Sequence, residues 1–139
     1  MVTVPSRLFG PLEVSPDAWI TFPVGLPGFG GEQRFVLLPA TGDRTFWMQS
    51  IDDGALVFLL VDPFPLVEGY EVEVADGGDD VAALAIVTMP DERDSPATMN
   101  LQGPIVIDFA TRLGRQHILT DQRFGTRHPL DLKALLAGA

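Results

Sequence analysis

The sequence predicts a mostly all-β fold: a small antiparallel β-barrel or sandwich with one or two short helices, one of them at the C-terminus. Three observations carry this expectation. Apolar, β-branched and aromatic runs recur about eight or nine times, at spacings of roughly 8–15 residues. Fourteen Gly and 12 Pro among 139 residues punctuate those runs with turns. No alternation of strand and helix runs through the chain, so a doubly wound sheet is disfavoured. One domain over residues 1–139 suffices, and a chain of this length buries about two-thirds of its unfolded surface.

Residues 18–22 form an aromatic and β-branched run that Pro23 stops. Four glycines and Pro27 make 25–31 a structured loop carrying Phe29. Residues 35–39 and 45–51 are the next strands, and Asp52-Asp53-Gly54 is turn chemistry. Residues 55–61 are apolar on both faces, as in a strand buried on both sides. Residues 70–74 alternate, which predicts a half-exposed strand with Glu71 and Glu73 on the wet face. Asp79 or Asp80 is placed to cap a helical turn over 81–83, and 84–89 is a strand ended by Pro90.

Residues 99–108 read as a central strand bent near Gly103, because Pro104 offers no N–H to a ladder. Asn100 and Gln102 stand two apart and share a face of an extended chain. Their amides are expected to tie the backbone to its neighbours, so Asn100, Gln102 and Pro104 are assigned structural roles. Residues 111–115 look like a hairpin connection leading into 116–119. Asp131 is the cap of an amphipathic helix predicted over 131–136.

Charge narrows the function. The net charge is −10, and its distribution is uneven. Residues 51–95 hold twelve acids and one base, Arg93, whereas 96–139 hold three acids and five bases. The acidic middle block repels a phosphate backbone, so direct nucleic-acid binding is disfavoured. It serves either as a solubilising surface or as a complement to a basic protein partner. No run approaches the roughly 18 apolar residues of a membrane helix, and the N-terminus has no signal-peptide pattern. The absence of Cys excludes disulfide, zinc-finger and thiol chemistry.

No catalytic constellation emerges. The loop over 25–31 lacks the Gly-Lys-Ser/Thr ending of a phosphate loop, and Gln33 stands where a dinucleotide fingerprint needs glycine. His117 and His128 have no paired acid at ligand spacing, so no metal is expected. The carboxylate pairs, Asp52/Asp53, Asp79/Asp80 and Asp91/Asp94 among them, mostly lie in turns, where Asp is ordinary. The expectation is a non-enzyme with no cofactor.

Several boxes occur together and in order: Phe22-Pro23-Val24-Gly25-Leu26-Pro27-Gly28-Phe29, then residues 35–38, Met48-Gln49-Ser50, 58–63, Ile86-Val87-Thr88, 100–107, and Arg127-His128-Pro129-Leu130. In this order and spacing the chain resembles the flagellar assembly factor family, FliW, over about residues 9–130. The resemblance implies a β-barrel-like cytoplasmic protein that binds flagellin before export. It also implies antagonism of the translational repressor CsrA by protein–protein binding, so that flagellin synthesis is coupled to export. An apolar groove for amphipathic helices is then expected, with Pro27 and Phe29, or Phe64 and Leu66, as candidate lining. Asp79 and Asp80 are candidates for a basic partner. The rival readings are a generic β-barrel interaction module with another partner, and a small carbohydrate-binding or hydrolytic protein.

Overall fold

Seven strands close on themselves. The computed structural model of the chain describes residues 1–26, 33–40, 44–72, 80–90 and 96–131. Its strands are β1 (Val2–Ser6), β2 (Gly10–Val14), β3 (Trp19–Phe22), β4 (Gln33–Pro39), β5 (Thr45–Ser50), β6 (Val57–Val61), β7 (Val81–Thr88), β8 (Ala97–Met99), β9 (Ile105–Asp108), β10 (Leu113–Gln116) and β11 (His128–Leu130). β3 to β7 form an antiparallel meander. The first half of β7 also pairs with β9, β9 pairs with β10, and β10 lies parallel beside β3. That ring is a closed barrel. β8 and β11 extend the second half of β7 as a small outer ladder.

The alternation of side chains decides what each face packs against. Ile20, Phe22, Phe35, Met48, Leu60, Leu84, Ile105 and Ile107 fill the barrel. The outward residues of β6 and β7, Leu59, Val61, Ala85 and Val87, belong to a second core outside it, with Tyr70, Met99, Leu101, Leu119 and Leu130. β6 is therefore buried on both sides, as its unbroken apolar run predicts. A third cluster, Val4, Val14 and Val36, seats the β1–β2 hairpin on the outer wall of the barrel.

The seam between β10 and β3 is short, with Leu113 opposite Thr21 and the Thr21 N–H donating to the Arg112 carbonyl at 2.9 Å. Gly114 makes this closure possible. A Cβ there would stand 2.6 Å from Cζ of Phe22, so any side chain would drive into the core ring. The hairpin is held by a buried polar lock. The Ser6 hydroxyl donates to Gln49 Oε1 at 2.7 Å, and Gln49 Nε2 donates to the Ser50 and Leu56 carbonyls.

Several expectations are corrected. No α-helix occurs among the described residues; the one helical segment there is a 3-10 turn over Pro16–Ala18, capped by Ser15. The turn expected over 81–83 is instead the start of β7, because Val81–Leu84 pair with β9, and non-local ladder bonds override a local capping signal. Of the helix expected over 131–136, all but its cap residue Asp131 lies outside the described residues. Residues 70–72 are irregular rather than strand, and Tyr70 is turned inward. The strand expected over 99–108 is two strands separated by a bend over 100–104, and the connection expected over 111–115 is overlapped by β10, which begins at Leu113. The hairpin β1–β2 and the strands β8 and β11 were not expected.

Candidate functional site

The second core supports the surface best suited to hold another molecule. Between β6 and β7 the chain leaves the barrel through residues 62–72. Asp62 Oδ1 accepts the Phe64 N–H at 3.2 Å, and the Pro63 carbonyl accepts the N–H groups of Leu66 and Val67, each at 3.0 Å. Gly69 turns the chain with φ +76°. These turns stiffen the loop by its own polar groups. They leave Phe64 43% and Leu66 38% exposed while Tyr70 is buried.

Tyr70 anchors that loop. Its ring lies 5.4 Å from Phe64 and 5.0 Å, edge to face, from Phe124. Its hydroxyl donates to the Leu101 carbonyl at 2.6 Å. Burial pushes the Tyr70 hydroxyl up to about 12, since a phenolate there would lose its water. The exposed Phe64 therefore rests on a ring fixed at its far end to the bend.

The bend is rigid because its polar groups are accounted for. The Leu101 N–H donates to the Gly125 carbonyl, and those of Gln102 and Gly103 donate to Asn100 Oδ1. Pro104 has no N–H to satisfy. The carbonyls of Leu101, Gln102, Gly103 and Pro104 accept from Tyr70 Oη, Leu119 N, Gln116 Nε2 and His117 N respectively. The bend thus joins the 62–72 loop to the segment that follows β10. Gly103 is packed so closely that a Cβ would meet Gln116 Nε2 at 2.7 Å.

The rim of this flank is acidic. Asp62, Glu68 and Glu71 belong to the loop, and the proton affinity of Arg123 is raised chiefly by its bond to Asp121 and least by Glu71. Arg123 is already paired with Asp121 at 2.7 Å and lies over the Phe124 ring. The arrangement is an apolar ridge with a mostly negative edge.

Of the residues singled out in sequence, Phe64 and Leu66 share this ridge, and Asn100 and Pro104 lie in the bend beneath it. Gln102 contributes its backbone there, with no hydrogen bond from its side chain among the described residues. Asp80 is exposed at the start of β7, where its carbonyl accepts the Phe109 N–H at 2.9 Å. Pro27, Phe29 and Asp79 lie outside the described residues. Sequence reasoning missed Tyr70, Phe124 and Gln116. The one available signal was that Tyr70 is the only tyrosine in the chain, a ring with a polar tip that needs a partner when buried.

Among the described residues no group of three or more His, Asp or Glu is placed to hold a metal ion, and no helix is long and apolar enough to cross a membrane.

Comparisons with known proteins agree on one family. The chain matches the family described as FliW protein over residues 3–130. The flagellar assembly factor FliW of Natranaerobius thermophilus is 37% identical over 139 aligned residues, covering 91% of each chain. That of Geobacillus kaustophilus is 38% identical over 136, covering 91% of this chain and 94% of its own. A crystal structure of the flagellar assembly factor FliW superposes with a TM-score of 0.82 at 35% identity, covering 92% of this chain and 96% of that one. A match across nearly the whole barrel, in both sequence and shape, leaves one conclusion: the chain belongs to the FliW family of flagellar assembly factors.

Proposed function

We propose that this protein is a cytoplasmic, non-enzymatic binding protein that holds flagellin before export and antagonises the translational repressor CsrA by direct contact. The observation that carries this reading is the ridge of Phe64 and Leu66, exposed yet seated on the buried Tyr70. Apolar anchors that are already ordered lose little entropy on binding.

Strand topology supports side-chain docking over strand addition. The barrel is closed, so its seven strands form one ring. The hairpin outside it places Pro5 opposite Pro11, and the outer strand β11 contains Pro129. A proline offers no N–H to an incoming strand. An amphipathic helix laid on apolar anchors is the recognition mode that remains, and it is the form expected of the ends of flagellin. The negative rim of the same flank suits a basic, RNA-binding partner. One flank with both properties would let flagellin and the repressor exclude each other, so that export of flagellin frees the factor for the repressor.

The test is to mix the purified protein with full-length and C-terminally truncated flagellin, then titrate in the repressor across a salt series. The expected results are binding of full-length flagellin, weaker binding of the truncated form, and displacement by the repressor that fades as salt rises. Phe64→Ala with Leu66→Ala should weaken flagellin at least about tenfold while melting like the parent, because both side chains are surface anchors. Absence of any flagellin complex with the parent protein would overturn the reading.

A further inference from the structure

We propose, resting on the binding function above, that the tip of the β1–β2 hairpin is the second wall of the groove whose first wall is the Phe64 ridge. The amphipathic helix of the partner then lies over Trp47, between Leu8 and Phe9 on one side and Phe64 and Leu66 on the other. Two side chains that the fold itself does not use point to this. Leu8 is 50% and Phe9 40% exposed, and neither belongs to any of the three apolar clusters. Polar residues would serve such a turn equally well.

Phe9 is joined to the ridge through Trp47. The two rings meet edge to face, with centres 6.2 Å apart and planes at 76°. Trp47 stands opposite Leu59 in the β5–β6 ladder, and opposite residues of an antiparallel ladder project from the same face. Leu59 belongs to the second core, and both Trp47 and Val67 of the 62–72 loop pack against that core. Tyr70, in the same core, carries the Phe64 ring. Each step from Phe9 to Phe64 is thus a contact between apolar groups on the outer face of the barrel.

The hairpin tip is held as firmly as the ridge. The Phe9 N–H donates to Ser6 Oγ at 3.0 Å, the Arg7 N–H donates to the Gly54 carbonyl at 2.8 Å, and Gly10 turns the chain back with φ +72°. Gly54 is packed so closely on the hairpin that a Cβ there would stand 2.0 Å from the Pro5 carbonyl oxygen. Both walls are therefore ordered before a partner arrives, which limits the entropy lost on binding. Their seats also fix a width. The hairpin sits over β4 and β5, through Val36 and Gln49, and the loop covers β6 and β7, through Leu59, Val61, Ala85 and Val87. Two to three strand spacings separate those seats, about 10–14 Å. One α-helix with its side chains is about 10–12 Å across, so a single helix fits and a folded domain does not reach the floor. Anchors on both walls call for an apolar face wider than the single row that one ridge would read.

Two measurements on the full chain test this, with full-length flagellin as the probe. Trp19→Phe leaves Trp47 as the one tryptophan, and saturating flagellin should shift its emission to the blue as water leaves the floor of the groove. Leu8→Ser with Phe9→Ser, in the otherwise native chain, should weaken flagellin about tenfold. That variant should melt close to the parent, because neither side chain belongs to a core. Flagellin that binds the parent but leaves the Trp47 emission unmoved, or that binds the Leu8/Phe9 variant as tightly as the parent, overturns the hairpin wall and leaves the ridge standing. Absence of any flagellin complex with the parent overturns both. A parent that sediments as a dimer, with the dimer lost in the Leu8/Phe9 variant, would assign the tip to a second copy of the chain and overturn the hairpin wall as well.

Discussion

The ridge around Phe64 and the wall around Arg115 both present apolar side chains to solvent, and they are built in opposite ways. The ridge stands outside the barrel on a loop, and its rigidity comes from beneath: Phe64 on Tyr70, Tyr70 on Leu101, and Leu101 in a bend whose carbonyls from Leu101 to Pro104 all accept hydrogen bonds. The wall is a barrel strand, fixed by the packing of Gly114 on Phe22 and by four ladder pairs to β9. Around the ridge stand Asp62, Glu68 and Glu71; along the wall stand Arg112 and Arg115. The difference shows how a closed barrel acquires surfaces of opposite sign. Its strands supply one, and an excursion between strands, propped by a second core, supplies the other.

The largest expected effect comes from removing the prop. Leu101 is fully buried in the second core. Leu101→Ala should cost about 2–5 kcal/mol, the usual price of a buried Leu-to-Ala cavity. Hydrogen exchange should quicken at Leu119, whose N–H is bonded to the bend, well before it does at Gly114 and Arg115 in the wall. Equal quickening at both would mean that ridge and wall open as one unit, and the contrast between them would fail.

Tyr70→Phe sharpens the same contrast. It keeps the ring stack and leaves the Leu101 carbonyl buried without a donor, at about 1–3 kcal/mol. It also carries a pH signature. Burial raises the hydroxyl from 10.0 to about 12, so the fold favours the neutral phenol. That contribution is complete below about pH 10 and is lost as pH rises towards about 12. The melting temperature of the parent should therefore fall more steeply over that window than that of Tyr70→Phe. Parallel curves would show that the hydroxyl is not held by the bend.

How much of this was legible in the sequence follows from where each stabilising interaction originates. The strands from β3 to β6, the later part of β7, and β9 could be read because their apolar runs are carried by local pattern, and β6 even showed its burial on both faces. The β1–β2 hairpin could not, because prolines and polar residues mask two valines, Val4 and Val14, that matter only once they meet Val36. The bend near Gly103 was readable from Pro104, and the Asn100 amide does hold it. Its other ties come from Tyr70, Gln116 and the segment around Leu119, all distant in sequence, and no local pattern announces such partners. Phe64 and Leu66 were identified as exposed candidates from their proline-rich turn, but the ring beneath them, Tyr70, looked like one residue of an alternating strand.

The smallest effect separates the two regions by their ion pairs. Arg34, opposite Thr21 and over the Trp19 ring, pairs with Asp52 near the wall, and its own N–H also donates to Asp52 Oδ2 at 3.2 Å. The Arg34 side-chain bond holds the Asp52 carboxyl below its usual 3.8. A lowered carboxylate stabilises the fold above the unfolded value, and that contribution is lost as pH falls through the folded one. Both partners are more than a third exposed, so solvent screening limits the pair to less than about 1 kcal/mol. On the flank, the Arg123 side-chain bond lowers Asp121 in the same direction, but Arg123 is itself 74% exposed and its long side chain is free to leave the pair. Asp52→Asn should thus lower the melting temperature slightly at neutral pH and low salt, with the deficit shrinking in high salt and below pH 4, where the parent loses the pair as well. Asp121→Asn should leave melting unchanged under every one of those conditions. A larger loss from Asp121→Asn would mean that the flank depends on its surface charges, and not only on the aromatic stack beneath them.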